Sequence, residues 1–149
     1  EAFPYAGCED QEFSIRLAKR KVALVVAVEI VAYHNEKDRV ALDEWLARQY
    51  RGVQGLPVLV KKHPERKSNA TYNENSPIDR DDSYKVVAKK LIKLLFYNTF
   101  FATVLKRLYL VLDLLDSNER LRHYLIKRME GIALYRGFRK AYKAVGAQG

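Results

Sequence analysis

Hydrophobic positions along the chain recur at helical spacing and nowhere alternate over any length as strands do, while Gly, Pro, Asn and Asp mark the breaks between apolar stretches. This pattern predicts an all-α protein, which we expect to be an up-and-down bundle of four to five helices. We expect residues 79–115 to form one long helix or two in near-continuous sequence. The other helices are expected at about 13–34, 39–50, 116–130 and 132–145, with Gly131 between the last two.

Two polar segments interrupt this helical pattern. Residues 1–12 are acidic and contain Pro4 and Gly7, so we expect a loose acidic arm ahead of a single domain over 13–149. Residues 64–83 have no apolar periodicity, which predicts an irregular, exposed loop. That loop contains the sequon Asn69-Ala70-Thr71, and Asn69 is therefore a candidate glycosylation site. From the start at Glu1 instead of Met we expect a secretory or organellar origin, and the sequon fits the secretory route.

The stretch LLFYNTFFATVL, residues 94–105, contains no charged residue. Around it, apolar residues cover more than the single stripe that a helix needs to join a core. Residues 22–33 are also apolar except for Glu29, and they compete for the one fully enclosed position in a small bundle. Twelve helical residues reach about 18 Å, against a hydrocarbon core of about 30 Å. We therefore expect an exposed apolar patch that contacts a partner or enters a membrane from the side. Its candidate contact residues are Phe96, Tyr97, Phe100 and Phe101.

The last predicted helix has a basic face opposite an aromatic one. Arg136, Arg139, Lys140 and Lys143 share the spacing i, i+3, i+4, i+7. Such a helix can lie in a membrane interface. The alternative is a bundle helix whose apolar face belongs to the core and whose basic face is merely solvated. If the helix does lie in a membrane interface, the residues of its apolar face that meet the membrane or partner are Tyr135, Phe138 and Tyr142.

The chain is strongly basic, with 27 Lys and Arg against 18 Asp and Glu and a net charge of +9. This charge favours an anionic partner: nucleic acid, anionic lipid or an acidic glycoprotein. No nucleic-acid recognition motif is present, so lipid or glycoprotein is the expected class, with a homodimer left open. Near the apolar stretch, the basic positions expected on the surface are Lys89, Lys90, Lys93, Lys106 and Arg107.

Nothing in the chain has the spacing of a catalytic or metal site. The three histidines are scattered, the single cysteine allows no internal disulfide, and there is no phosphate-binding loop or nucleophile elbow. The adjacent carboxylates Asp43-Glu44 and Asp81-Asp82 point about 100° apart on a helix and do not converge on one substrate. We therefore expect no enzymatic activity and no cofactor.

Residues 22–105 resemble the sperm acrosomal proteins of abalone and related marine snails, the family of lysin and its fusogenic paralogue. The similarity lies in residues 22–46, with Asp38-Arg39 followed by Leu42, Trp45 and Leu46, and in SPIDRDDSY at residues 76–84. It continues in the apolar spacing from Leu91 to Val104. The second helix is cut short by Gly52, Gly55 and Pro57 where lysin has a long basic helix, and the apolar excess is greater. Both departures favour the fusogenic paralogue.

This resemblance implies an all-α protein stored in the acrosomal granule and released at fertilisation. It implies non-enzymatic action, with anionic membrane lipid or an egg-surface glycoprotein as the partner. The leading hypothesis is fusion of sperm and egg membranes. Two alternatives are a lysin-like protein that binds and loosens the egg vitelline envelope, and a basic helical nucleic-acid-binding or assembly subunit.

Overall fold

The computed structural model of the protein describes residues 7–23, 25 and 41–146, and these ranges contain α-helices and no strands. The predicted all-α class is therefore confirmed. The described ranges contain seven α-helices, and not the four to five expected, because segments expected to be loops or single helices form additional short helices. They are α1 (Glu9–Lys19), α2 (Leu42–Gly52), α3 (Gly55–Lys62), α4 (Ala70–Asn75), α5 (Tyr84–Phe96), α6 (Thr99–Leu114) and α7 (Glu119–Gly146).

Helix α1 begins and ends earlier than the sequence pattern predicts. It starts at Glu9, so the last part of the expected acidic arm is its first turn, where carboxylates favourably meet the helix dipole. It ends in a Schellman motif: Lys21 has φ 54°, and the Val22 N–H donates to the Leu17 carbonyl at 3.1 Å. The predicted helix over 13–34 is thus wrong at residues 20–23 and 25. Residues 24 and 26–34 lie outside the described residues.

The prediction of an irregular loop over residues 64–83 is wrong over residues 64–75, where two helices form. A 3₁₀-helix (Pro64–Ser68) leads into α4, and only residues 76–83 are irregular. Asn69 caps α4, since its side-chain oxygen accepts from the Tyr72 N–H at 3.2 Å. Tyr72 then packs edge-on against Phe138, with ring centroids 5.5 Å apart. The cap and this packing form a helix where composition indicated a loop, although Asn69 is exposed as expected.

Helix α7 is the central helix of the described fold and packs against α2, α3, α4 and α6. It starts at Glu119, where the Asn118 side chain accepts from the Leu121 N–H at 3.1 Å, so Asn118 is the cap and not Asp116. The predicted break at Gly131 is absent. A glycine costs a helix only about 1 kcal/mol, and here a Cβ would lie 3.2 Å from the Tyr97 ring, so the small residue permits close packing.

The core lies between α1, α3 and α7. Phe138 is 0% exposed at its centre, and its ring stacks on Tyr142 at 5.7 Å between centroids. Gly137 lets α7 approach α2, because a Cβ there would lie 2.1 Å from the Tyr50 carbonyl oxygen. The apolar residues packed around Phe138 are Ile15, Val53, Leu56, Leu59 and Val60.

Candidate functional site

Helices α5 and α6 meet at a sharp, well-formed bend. The chain leaves α5 at Phe96 and enters α6 at Thr99, and the two axes differ by 79°, which confirms the two-helix alternative for residues 79–115. Asn98 stabilises the bend twice: its side-chain oxygen accepts from the Phe101 N–H at 3.1 Å, and its side-chain nitrogen donates to the Leu95 carbonyl at 3.0 Å. Residues 95–101 are called the elbow below.

Three phenylalanines form an aromatic cluster on the elbow. The Phe96 and Phe101 rings lie 5.0 Å apart, and the Phe100 and Phe101 rings 5.5 Å apart, both edge to face. Phe100 is 70% exposed, Phe96 is exposed and Phe101 is half-buried. The elbow therefore presents aromatic rings to its surroundings in a fixed arrangement, as predicted for Phe96 and Phe100.

Tyr97 has a different position from the one predicted. Its ring packs edge-on against Tyr135 of α7 at 5.8 Å and touches Gly131. Tyr97 therefore anchors the elbow to the body of the protein and does not face outward. Tyr97 packs beside Gly131, which comes 34 positions later in the chain, and local periodicity does not reveal this contact.

The apolar surface extends from the elbow along both helices. No residue of α6 is buried, and α5 buries only Lys90. On α6 and at its C-cap Leu115, five exposed apolar positions are spaced as one face of a helix, and Leu110 and Leu114 are also exposed on the neighbouring face. The exposed stripe of α6 consists of Phe100, Val104, Leu108, Val111 and Leu115. On α5, Leu91, Ile92, Leu94 and Leu95 are also exposed. A contiguous apolar patch of this kind marks a contact surface for protein or membrane.

The aromatic face of α7 does not belong to this surface. Tyr135 and Phe138 are buried, and Tyr142 is half-buried between Tyr72 and Phe138. The prediction that these three residues face a membrane or partner is therefore wrong. The alternative interpretation holds, because α7 has neighbours on several sides and its aromatic residues fill the space between them.

Three lysines predicted for the basic surface are instead paired within the fold. Lys90 is 5% exposed and its ammonium lies 2.6 Å from a carboxylate oxygen of Asp82, which is 4% exposed. Lys89 and Lys93 both bind Glu74, at 2.8 Å and 3.3 Å. The prediction of a basic surface is wrong for Lys90 and Lys93, because α4 and residues 76–83 fold back over α5 and bring their carboxylates with them. Lys89 does lie at the surface, although it is paired with Glu74.

The contact of α5 with α4 and residues 76–83, called the α4–α5 junction below, keeps its carboxylates ionised. The hydrogen bond from Lys89 and the charge of Lys93 lower the pKa of Glu74. The backbone N–H of Asp79 and the ammonium of Lys90 lower the pKa of Asp82. At neutral pH the charges therefore fasten α5 to α4, while the apolar side of α5 is left exposed.

Other predicted basic residues do remain at the surface. Arg139 is half-buried, with its guanidinium 5.9 Å from the Tyr135 ring centre, and Lys106 binds Asp43 at 2.7 Å. The exposed cations that form no ion pair in the described part of the chain include Arg107, Arg136, Lys140 and Lys143.

Sequence reasoning missed one cation beside the elbow, Arg128. Its guanidinium lies 4.6 Å from the Tyr124 ring centre, and hydrogen bonds to Tyr124 and then Tyr97 raise the pKa of Arg128. Tyr124 and Arg128 stand at i, i+4, which is a usable signal for the pair. The contact between Arg128 and Tyr97 is visible only in the folded structure, because the two residues are far apart in the sequence.

Among the described residues, no single helix combines the length and the apolarity that a bilayer crossing needs. Helices α5 and α6 meet that requirement only when counted together, as a pair bent at the elbow.

No known protein family matches the chain, and neither a curated protein nor a solved structure is similar to it. The resemblance of residues 22–105 to gastropod acrosomal proteins therefore stays a prediction.

Proposed function

We propose that the protein binds anionic membranes and perturbs them non-enzymatically by inserting the elbow and the exposed stripe of α6. The observation that supports this most directly is the fixed aromatic cluster of Phe96, Phe100 and Phe101, in which Phe96 and Phe100 are exposed, on helices that bury no apolar residue. An exposed apolar surface of this extent is costly in water, and acyl chains are one environment in which the cost disappears.

Attraction and insertion are separate steps in this proposal. Exposed cations such as Lys140 and Lys143 attract anionic head groups, each contributing about 1 kcal/mol near a charged surface. Arg128 supplies a cation beside the elbow itself. The phenylalanines then enter the boundary between head groups and acyl chains, to a depth of about 5–10 Å. Tyr97 and Asn98 fix the bend, so little conformational entropy is lost on insertion.

The setting we propose for this activity is fertilisation. The resemblance of residues 22–105 to the fusogenic paralogue of lysin supports secretion from the sperm acrosomal granule and fusion of sperm and egg membranes. The lysin-like alternative, loosening of the egg vitelline envelope, draws support from the exposed unpaired cations, which suit an acidic glycoprotein as well as a lipid.

Lipid mixing between vesicles rich in phosphatidylserine tests the insertion step. Replacing Phe96 and Phe100 with Ser should abolish mixing but leave initial binding nearly intact, because the cations are unchanged. Phe13 offers a matched control, since it is an exposed phenylalanine on α1, away from the elbow, and Phe13→Ser should mix lipids like the wild type. Circular dichroism checks that each variant is folded.

Charge reversal tests the attraction step. Lys140→Glu with Lys143→Glu should weaken binding to anionic vesicles, most strongly at low salt, because screening sets in beyond about 10 Å at 0.1 M. These two residues are preferable to Arg139 because they are exposed and Arg139 is half-buried, although Lys140 also lies 6.0 Å from the Tyr50 ring centre. Wild-type protein that leaves anionic vesicles intact but dissolves isolated egg envelopes would overturn the membrane proposal in favour of the lysin-like alternative.

A further inference from the structure

A separate groove lies where α2, α6 and α7 meet. Its volume is about 360 Å³, and it is bordered on α6 by Thr99, Ala102, Thr103 and Lys106. These four positions share one helical face, and that face is not the one that carries the exposed stripe of α6. The groove shares Thr99 with the elbow but lies on a different face from the exposed aromatic rings.

The groove is apolar inside because small and aliphatic side chains line it. Ala102 of α6 and Ala133 of α7 leave space that larger residues would fill, and Met129 and Ile132 of α7 supply a buried hydrophobic wall. A volume near the lower end of the range of about 300–1,000 Å³ for small-ligand sites suits one extended alkyl chain.

The rim of the groove carries an excess of positive charge. Lys106 lies there with Asp43, whose carboxylate it binds at 2.7 Å. Arg136 also lies at the rim, is exposed, and has no ion pair within the described ranges. Two cations and one carboxylate leave a formal charge of +1, which matches a monoanionic head group.

We propose that this groove binds a single-chain anionic amphiphile, of the chemical class of a free fatty acid. The alkyl chain lies against Ala102, Ala133 and Met129, and the carboxylate binds Arg136 and shares Lys106 with Asp43. The proposal does not depend on membrane insertion, because its residues lie on a different face of α6 from Phe100.

Met129 is the single methionine of the chain, which makes it a direct probe of the groove. A protein labelled with carbon-13 at the methionine methyl group gives one signal, and sodium laurate below its critical micelle concentration should shift that signal with one-site saturation. Laurate protons should also show a nuclear Overhauser effect to this methyl group. A Met129 signal that stays unchanged under saturating laurate overturns the proposal without any variant.

Variants give the second test. Ala102→Leu and Ala133→Leu each fill the groove and should weaken laurate binding about tenfold or more, corresponding to loss of most alkyl contacts. Ala88→Leu is the matched control, because Ala88 is exposed on α5 and outside the groove. Arg136→Gln should weaken binding about threefold, as expected for an exposed ion pair.

Two comparisons separate groove binding from adsorption to the elbow surface. Dodecyltrimethylammonium, which has a similar chain and a cationic head, should bind much more weakly than laurate. The Phe96→Ser, Phe100→Ser double variant should bind laurate like the wild type. Equal binding of the two amphiphiles overturns the proposal. It is also overturned if the double variant loses laurate binding while Ala102→Leu and Ala133→Leu bind laurate normally.

Discussion

Helix α7 and the pair α5–α6 are of nearly equal length but use their apolar residues in opposite ways. The 28 residues of α7 include many Lys and Arg, and yet α7 buries seven residues, among them Phe138. Helices α5 and α6 have 13 and 16 residues and are richer in Leu, Val and Phe, but Lys90 is their single buried residue.

The difference shows that neighbours, and not apolarity alone, decide which helix is the core. The apolar positions of α7 recur every three or four residues and meet α2, α3 and α6 in turn. Lys89 and Lys93 attach α5 to Glu74 of α4, and Lys90 attaches it to Asp82. The charged side of α5 therefore faces the protein and its apolar side faces outward. An arrangement of this kind favours a contact surface, because it exposes the groups that water solvates least well.

The largest expected effect comes from truncating the buried phenylalanine of α7. Phe138→Ala should lower the free energy of unfolding by about 3–5 kcal/mol, because it removes a fully enclosed ring and leaves a cavity beside Leu59 and Tyr142. Urea denaturation followed by circular dichroism measures this loss.

The matched control is Phe100→Ala on α6, which removes the same atoms from a ring that is 70% exposed. The free energy of unfolding should change by no more than about 0.5 kcal/mol. A loss comparable to that of Phe138→Ala would show that Phe100 is enclosed in solution, and the contrast between the two helices would disappear.

The next effect concerns two glycines of α7. Gly137→Ala should destabilise the protein by about 1–3 kcal/mol, because the new methyl group would lie 2.1 Å from the Tyr50 carbonyl oxygen, which is backbone and cannot move aside. Gly131→Ala meets only the Tyr97 ring, at 3.2 Å, and the gain in helix propensity should offset that contact. Urea denaturation of both variants tests whether α7 packs more closely at its α2 side than at the elbow.

The sequence predicted the helical class and the end of the second helix near Gly52, and it left open whether residues 79–115 form one helix or two. It could not distinguish Phe138 from Phe100, because both lie among apolar neighbours at helical spacing and differ only in what packs against them. Nor could it assign Lys90 to the interior, since its partner Asp82 is brought there by a chain reversal. The pattern predicts a break at Gly131, because the Tyr97 ring that packs beside this glycine comes from a distant part of the chain.

A smaller effect is expected from acid. The pKa values of Glu74, Asp79 and Asp82 are all lowered in the folded protein, whereas the same carboxyls have a pKa of about 4 in the unfolded chain. Groups of this kind stabilise the fold fully above the unfolded pKa and lose that contribution as pH falls through the folded values. Stability from the α4–α5 junction should therefore be constant from neutral pH to about pH 5 and decline below about pH 4.

Urea midpoints at pH 7, 5 and 3.5 measure this dependence. Asp82→Asn and Glu74→Gln should each flatten the decline, since they remove one titrating group from the junction. An unchanged pH profile in both variants would show that the charges do not hold α5 in place, and the explanation for its outward apolar side would fail.

The smallest effect is expected at Leu95, on the elbow. Leu95 is 65% exposed, so Leu95→Gln removes little buried area and should change the free energy of unfolding by less than about 0.5 kcal/mol. The variant should bind less of a fluorescent dye that reports exposed apolar surface, because the patch is smaller. A loss of about 2 kcal/mol would show instead that the patch is covered in solution. If that loss also grew with protein concentration, the patch would be covered by a second copy of the chain. Helices α5 and α6 would then form the apolar centre of an interface between two copies, as α7 forms the centre of the single chain.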